Sequence, residues 1–173
     1  MFSTSKNRLL IAVAALALIA GCHKRPHGDG AKTEAEVKTN MTEMVAAFAA
    51  RDADKAVSWD APDFTGMFHG MPDSHGQEAD RTITKEQVAD PAMKFSVSDV
   101  IVDAAKSGDL AVWRAKYSYT YTDPATKQPK TEIGNWIVGW KRDGEGKMKE
   151  AWGIVSDTPS AAPAAPAAAA PKP

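Results

Sequence analysis

The stretch "GNWIVGWKRDGEGKMKEAWGIVSD", residues 134–157, decides the fold of this chain. Two runs rich in Trp, Ile and Val, residue types that favour strands, lie on either side of Asp143-Gly144. An Asp-Gly pair between two such runs is typical of the tight turn of a β-hairpin. The sequence therefore predicts that two antiparallel strands close the folded domain.

Two further strands precede this hairpin. In "LAVWRAKYSYTYTD", residues 110–123, alternation places one aromatic-rich set on a single side: Trp113, Ala115, Tyr117, Tyr119 and Tyr121. In residues 93–109 the apolar parity changes between Val97 and Val100, so we predict a β-bulge near Ser98–Asp99 that keeps both on one face. Together with the hairpin, these segments predict four long antiparallel strands.

Helices are predicted before the strands. Thr33 and Glu36 have the spacing of a capping box, and an apolar stripe of helical period follows: Val37, Met41, Met44, Val45 and Phe48. Asp52 or Asp54 is expected to cap a short second helix that ends near Trp59. Helices on one face of a curved antiparallel sheet make an α+β domain.

The segment between the second helix and the long strands is punctuated by Pro and Gly. It predicts a short strand around Phe64–His69 between loops. Thr84 and Gln87 form a second capping-box pattern, which predicts a helix of one or two turns that ends before Pro91.

The two ends of the chain differ in composition from its middle. Residues 1–21 combine Lys6 and Arg8 with about a dozen apolar residues, too few to span a bilayer but typical of a secretory signal peptide. Residues 22–32 read as a flexible tether and residues 159–173, almost wholly Ala and Pro, as a disordered tail. Residues 33–158 are therefore predicted to form one domain.

The only cysteine, Cys22, follows this apolar run directly. It cannot form a disulfide within the chain. "IAGC", residues 19–22, resembles a bacterial lipobox, which implies cleavage before Cys22 and attachment of a diacylglyceryl group to its sulfur. The alternative is an ordinary signal peptide that contains a cysteine. With His rather than Asp at position 23, the resemblance implies a protein of the cell envelope anchored in the outer membrane and facing the periplasm, with the lipid bilayer as its partner.

Net charge argues against one class of partner. Without residues 1–21 the chain has 152 residues, with 19 basic and 22 acidic side chains, a net charge of −3. Nucleic-acid-binding domains usually carry a basic excess. We therefore expect no nucleic-acid partner.

Three segments together resemble the nuclear transport factor 2-like superfamily, which includes ketosteroid isomerase and the SnoaL-type polyketide cyclases. They are "MVAAFAARDADKAVSW", residues 44–59, "SGDLAVWRAKYSY", residues 107–119, and the hairpin of residues 134–157. The chain looks most similar to the SnoaL-like branch, which contains many domains of unknown function. The resemblance implies a cone-shaped fold with a pocket between the curved sheet and the helices.

The resemblance does not extend to the residues of steroid isomerisation. That chemistry needs a carboxylate base, a tyrosine and a protonated acid. The tyrosine's position matches Met44, the donor acid's position falls near Val138, and the base's position falls around Gly66–His69. Because apolar residues occupy two of the three roles, steroid-isomerase activity is not expected.

Asp63 and His69 flank the short strand and are the candidate catalytic residues. A neutral histidine is a suitable general base near pH 7, whereas the alternative is that both side chains are exposed to solvent. His69, Asp73 and His75 are types that bind metals, but their spacing matches no compact motif. No metal and no cofactor are therefore predicted.

Five residues are the candidate lining of a ligand pocket: Trp59, Phe64, Tyr117, Asn135 and Trp152. Alternation cannot decide which face of the sheet looks inward, because both parities mix apolar and polar groups. The aromatic row on residues 113–121 is more often core or dimer surface than a platform for a ligand. Four aromatic side chains are expected to be buried: Trp59, Phe64, Trp136 and Trp152.

The sequence leads to three functional hypotheses. The first is a membrane-anchored periplasmic lipoprotein whose cone binds a small apolar or aromatic ligand or a protein partner. The alternative is a cyclase-, isomerase- or dehydratase-type enzyme that uses Asp63 or His69 as general base. The third is a structural role, in which the domain forms a homodimer through its sheet and the tail reaches across the periplasm.

Overall fold

The computed structural model describes residues 29–158. The predicted signal peptide, most of the tether and the tail lie outside these residues, and so does Cys22. The helices are α1 (Gly30–Ala49), α2 (Ala53–Ala56) and α3 (Gln77–Ala89). The strands are β1 (Asp60–Phe68), β2 (Ser74–His75), β3 (Lys94–Ala104), β4 (Leu110–Thr122), β5 (Pro129–Arg142) and β6 (Met148–Asp157).

The six strands form one sheet in the order β2-β1-β6-β5-β4-β3. All neighbouring pairs are antiparallel except β1 and β6, which run parallel. The pairing of β4 with β5 is the longest and runs from Leu110 opposite Lys141 to Thr122 opposite Pro129. The sheet packs on the helices, so the predicted α+β class is confirmed.

The core lies between α1 and the concave face of β3–β6. Val37 and Met41 of α1 are almost fully buried against Trp113, Val138 and Trp140 of the sheet. Burying a large apolar side chain contributes about 1.5–3 kcal/mol, so this layer holds α1 on the sheet. Phe64 is buried as expected, but Trp59, Trp136 and Trp152 are only half-buried. The fully buried tryptophans are Trp113 and Trp140.

The helix starts differ from the predicted ones. α1 begins at Gly30, within the predicted tether, and its cap is Asp29, whose carboxylate accepts a hydrogen bond from the Ala31 N–H. Thr33 is buried one turn further on and donates to the Gly108 carbonyl. The capping box predicted at Thr33 and Glu36 is therefore wrong, because the side chain of Thr33 bonds to a distant loop.

α3 also begins earlier than predicted. It starts at Gln77, so Thr84 lies inside the helix and is buried, and the second predicted capping box is wrong as well. The predicted end before Pro91 is confirmed, since α3 ends at Ala89. Asp52 is the cap of α2, as predicted, and accepts from the Lys55 N–H.

Two β-bulges decide which side chains face the helices. The predicted bulge in β3 is confirmed by the register shift between Ser98 and Ile101, where Asp99 has a φ of 53°. A second bulge, in β6, was not predicted: Glu150 pairs with Trp140, but Trp152 pairs with Gly139. The extra residue between them reverses the alternation along β6.

The β6 bulge sends Trp152 to the outer face of the sheet. Its indole lies over Gly139, where an added Cβ would be 2.0 Å from the ring carbon Cε2. Glu150 on one side of the bulge and Gly153 on the other both face the concave side. The absence of a side chain at Gly139 therefore leaves room for the outward-facing indole of Trp152.

Candidate binding cavity

A cavity of about 430 Å³ lies between the concave face of the sheet and the three helices. Its walls are mainly apolar and aromatic: Met44, Phe48, Ala56, Val57, Phe64, Phe68, Ile83, Phe95, Tyr119, Tyr121, Trp136 and Val155. Cavities of this size and character are typical of small-molecule sites.

The aromatic walls form a continuous network of ring contacts. Phe95 lies edge-on to Phe48 and to Trp136, with ring centroids 5.0 and 5.7 Å apart. Tyr119 and Tyr121 stack at 5.4 Å. Edge-to-face and stacked pairs contribute about 0.5–1.5 kcal/mol each beyond burial, so these walls are held in place before any ligand enters.

The floor of the cavity is acidic. Asp60, the first residue of β1, lies directly opposite Glu150 of β6, and both side chains line the cavity with Asp80 of α3. Asp60 and Glu150 are each 3% exposed. One oxygen on each, Oδ2 of Asp60 and Oε1 of Glu150, has no hydrogen-bond partner. An unsatisfied buried polar atom costs about 1–3 kcal/mol, so these two oxygens lower the stability of the folded protein.

Burial raises the pKa of all three acids. Desolvation, with the nearby charge of Asp80, raises the pKa of Asp60 to about 8. Desolvation and the charge of Asp60 raise the pKa of Glu150 well above its usual value. Burial raises the pKa of Asp80 to about 6, against a hydrogen bond from Thr84 that lowers it. At neutral pH the Asp60–Glu150 pair therefore retains protons.

A second polar group lies at another part of the cavity wall. His69 Nε2 is 2.8 Å from Glu132 Oε1, and the Tyr117 hydroxyl donates to the same oxygen. Because a carboxylate only accepts, Nε2 donates in this contact, and in the neutral form of the ring Nδ1 holds the lone pair. Desolvation, followed by the hydrogen bond to Glu132, raises the pKa of Tyr117, so this residue stays a neutral donor. This His69–Glu132–Tyr117 group resembles a base and its orienting residues.

The structure brings together only some of the predicted site residues. His69, Phe64 and Tyr117 line the cavity. Asp63 is exposed and lies with Trp152 along a shallow depression on the other side of the sheet. Asp63 and His69 are therefore not one constellation.

The remaining predicted pocket residues lie outside the cavity for identifiable reasons. Trp152 is turned outward by the β6 bulge. Asn135 has the outward parity of β5, and its side-chain oxygen accepts from Lys116 Nζ at 2.6 Å. Trp59 packs against the core rather than the cavity.

Sequence reasoning missed the three floor acids and Glu132. Glu150 could have been identified. Alternation along the strand places it on the same face as the apolar Met148, which predicts an acid on a buried face. Asp60 could not be identified in this way, because the sequence predicts a loop at its position. Across residues 29–158, no group of three or more His, Cys, Asp or Glu side chains is placed to hold a metal ion.

No protein-family model and no curated protein matches the sequence, but solved structures do. A ketosteroid isomerase-like protein from Erwinia carotovora atroseptica superposes with a TM-score of 0.61 at 17% identity, covering 75% of this chain and 98% of that one. The chain has the nuclear transport factor 2-like fold. A nuclear transport factor 2-like protein of unknown function from Pseudomonas putida gives 0.62 at 20% identity, covering 75% and 89%. One with a cystatin-like fold from Novosphingobium aromaticivorans gives 0.58 at 12%, covering 72% and 81%.

Identities this low establish the fold and leave the chemistry open. The cavity of this chain lies between the sheet and the helices. The residues that line the cavity must therefore supply any functional argument.

Proposed function

We propose that the domain binds a small molecule with an apolar or aromatic body inside its cavity. The observation that carries this proposal is the cavity of about 430 Å³, walled by aromatic rings that contact one another. A preorganised apolar site loses little conformational entropy on binding. The cavity of this chain is partly open to the surface, so a ligand can reach it.

Neighbouring residues of β6 provide a matched test. Val155 lines the cavity, whereas Ile154 is exposed on the opposite face of the same strand. We expect Val155→Trp to weaken binding of the neutral fluorophore N-phenyl-1-naphthylamine at least about tenfold, because the indole occupies cavity volume. Ile154→Trp should leave its affinity unchanged. Fluorescence titration measures both.

Equal affinity in the two variants, or no fluorophore binding to the wild type, would count against an apolar binding cavity. Circular dichroism of both variants shows whether each remains folded. A folded Val155→Trp protein that retains full affinity places the fluorophore elsewhere.

A second candidate function is catalysis, and the contact between His69 and Glu132 favours it. A carboxylate that holds a histidine in one tautomer leaves the other ring nitrogen available as a general base. The superposed ketosteroid isomerase-like protein gives this candidate a precedent by name only. The reaction class is proton abstraction from a carbon next to a carbonyl group.

We also propose that the mature chain is a lipoprotein of the bacterial envelope, anchored through Cys22 in the outer membrane and facing the periplasm. The support is the order of the basic residues, the apolar run and "AGC" at residues 20–22. No helix among residues 29–158 is long and apolar enough to cross a membrane. Two lipid signals or more are needed for stable anchoring by acyl chains.

Radiolabelled palmitate tests the anchor directly. We expect the wild-type protein to incorporate the label in bacterial cells and Cys22→Ser to incorporate none, because the thiol is the attachment point. Fractionation should move Cys22→Ser out of the membrane pellet. A variant that keeps its label or its membrane association would overturn the anchor.

A homodimer through the sheet stays a prediction. The outer face exposes Ile133 and Ile154, at 57% and 36%, but Arg114 and Lys116 lie on the same face. This mixed surface does not by itself favour a second copy over solvent.

A further inference from the structure

Three exposed side chains mark the mouth of the cavity. His69 and Met71 lie in the loop that leads from β1 to β2, and Glu86 lies on α3. The other residues that line the cavity are buried or half-buried. A ligand that enters from solvent therefore passes these three side chains, of which Met71 is the apolar one.

A tight turn places Met71 at this mouth. The Met71 N–H donates to the Phe68 carbonyl at 3.2 Å. Gly70, between them, has a φ of 72°, which glycine adopts without strain. Met71 is 50% exposed and also lines the cavity. Its thioether is therefore accessible both to solvent and to a ligand inside the cavity.

Met71 differs in exposure from the other methionines of residues 29–158. Four of these are buried: Met41, Met44, Met93 and Met148. Met67 of β1 is half-buried and lies along the shallow depression on the outer side of the sheet. Since the oxidation of sulfur side chains follows their exposure, Met71 is the methionine of this range that a dissolved oxidant reaches most easily.

We propose that Met71 is a reversible oxidation site that regulates ligand binding. The inference rests on the proposed binding function and adds regulation to the same cavity. The oxidant is a peroxide, with hydrogen peroxide as the simplest case. Its O–O bond breaks and an S–O bond forms on Met71. The sulfur gives up two electrons, and the second oxygen atom leaves as water.

Oxidation changes the chemistry of the mouth. A thioether is apolar and flexible, whereas the sulfoxide is polar. An apolar ligand that covers the sulfoxide oxygen removes it from water and offers no hydrogen-bond donor in return. Binding therefore weakens when Met71 is oxidised, and a bound ligand shields the thioether from peroxide. Because methionine sulfoxide reductases restore the thioether, the change is reversible.

Peptide mass spectrometry of the full-length chain, treated with hydrogen peroxide, tests which methionine reacts. We expect Met71 to gain an oxygen atom before Met67 does. Saturating N-phenyl-1-naphthylamine should slow the oxidation of Met71 and leave that of Met67 unchanged, because Met67 lies outside the cavity. Oxidation of Met67 first, or equal rates for Met71 with and without the fluorophore, would contradict the proposal.

Fluorescence titration before and after peroxide treatment tests the effect on binding. We expect the treated wild type to bind N-phenyl-1-naphthylamine at least about threefold more weakly, as for one lost hydrogen bond. The two methionine sulfoxide reductases, one for each epimer, should restore its affinity. Met71→Leu has no thioether at this position, so its affinity, whatever its starting value, should be the same before and after treatment.

Two results separate this inference from the proposed function. If the untreated wild type binds the fluorophore and treatment leaves its affinity unchanged, or lowers it equally in Met71→Leu, the oxidation site is wrong and the binding cavity stands. If the untreated wild type does not bind the fluorophore, both proposals fail.

Discussion

Replacement of Asp60 by Asn is expected to raise the melting temperature of the protein by about 5–10 °C at pH 8 and to change it little at pH 4. Removing an acid would then stabilise the fold, which is the reverse of the usual outcome for a buried polar residue. The reason is that Asp60 is held in a site that disfavours its charged form. Asn has nearly the same shape and cannot ionise.

The sign of the pH effect follows from the raised pKa. The pKa of an Asp carboxyl in the unfolded chain is 3.8, and burial raises the pKa of Asp60 to about 8 in the folded protein. Below pH 3.8 it is protonated in both states, and its stabilising contribution is fully present. As the pH rises towards 8, folding requires uptake of a proton, so the free energy of unfolding falls by about 1.4 kcal/mol per pH unit. The loss is complete once the pH has passed the folded pKa.

The total effect is on the order of 5 kcal/mol, from which the imperfect fit of the new amide subtracts. Thermal unfolding from pH 4 to pH 9 measures it, and the variant should show a flatter profile. Asp63→Asn is the matched control, because Asp63 is an exposed acid on the same strand and should leave the profile unchanged. If Asp60→Asn lowers the melting temperature at pH 8, the floor does not carry the desolvation described here.

The sequence predicted those parts of the fold that depend on short-range signals. Asp143-Gly144 marked the β5–β6 hairpin, in which the Asp143 carboxylate accepts from the N–H groups of Glu145 and Lys147. The change of apolar parity in β3 marked its bulge. Each of these features is encoded by a few adjacent residues, so no tertiary contact is needed to predict it.

The structural features that the sequence did not predict correctly depend on contacts between distant segments. Thr33 has the spacing of a helix cap, but it bonds to Gly108, which comes 75 residues later. The bulge in β6 leaves no mark in its own residues, since it is set by pairing with β5. Without that bulge, Trp152 would share a face with Glu150; the bulge turns Trp152 outward and leaves Glu150 facing the cavity.

Only part of the candidate site was predicted, again because its residues come from distant segments. His69 was found from its chemistry alone, because a neutral histidine suits general-base work near pH 7. Its partner Glu132 lies 63 residues away on β5, and only the fold brings the two side chains together. Asp63, closer in sequence, is separated from His69 by the sheet.

The enzyme hypothesis can be tested by comparing the activities of variants at His69 and Asp63. The small aromatic ketone 2-tetralone has acidic protons next to its carbonyl group, and their exchange with deuterated solvent is followed by proton NMR. If the cavity performs proton abstraction, we expect the wild-type protein to accelerate this exchange over buffer. A positioned general base contributes about 10²–10⁴-fold, so His69→Gln should remove most of the acceleration.

Two further variants separate the base from the residue that orients it. Asp63→Asn should exchange at the wild-type rate, because its side chain is exposed and lies outside the cavity. Glu132→Gln should slow exchange less than His69→Gln and alter its pH profile, since an amide holds the imidazole but does not favour its protonated form. A wild-type rate equal to that of buffer, or loss of activity in Asp63→Asn rather than His69→Gln, would contradict the role of His69 and leave ligand binding as the function of the cavity.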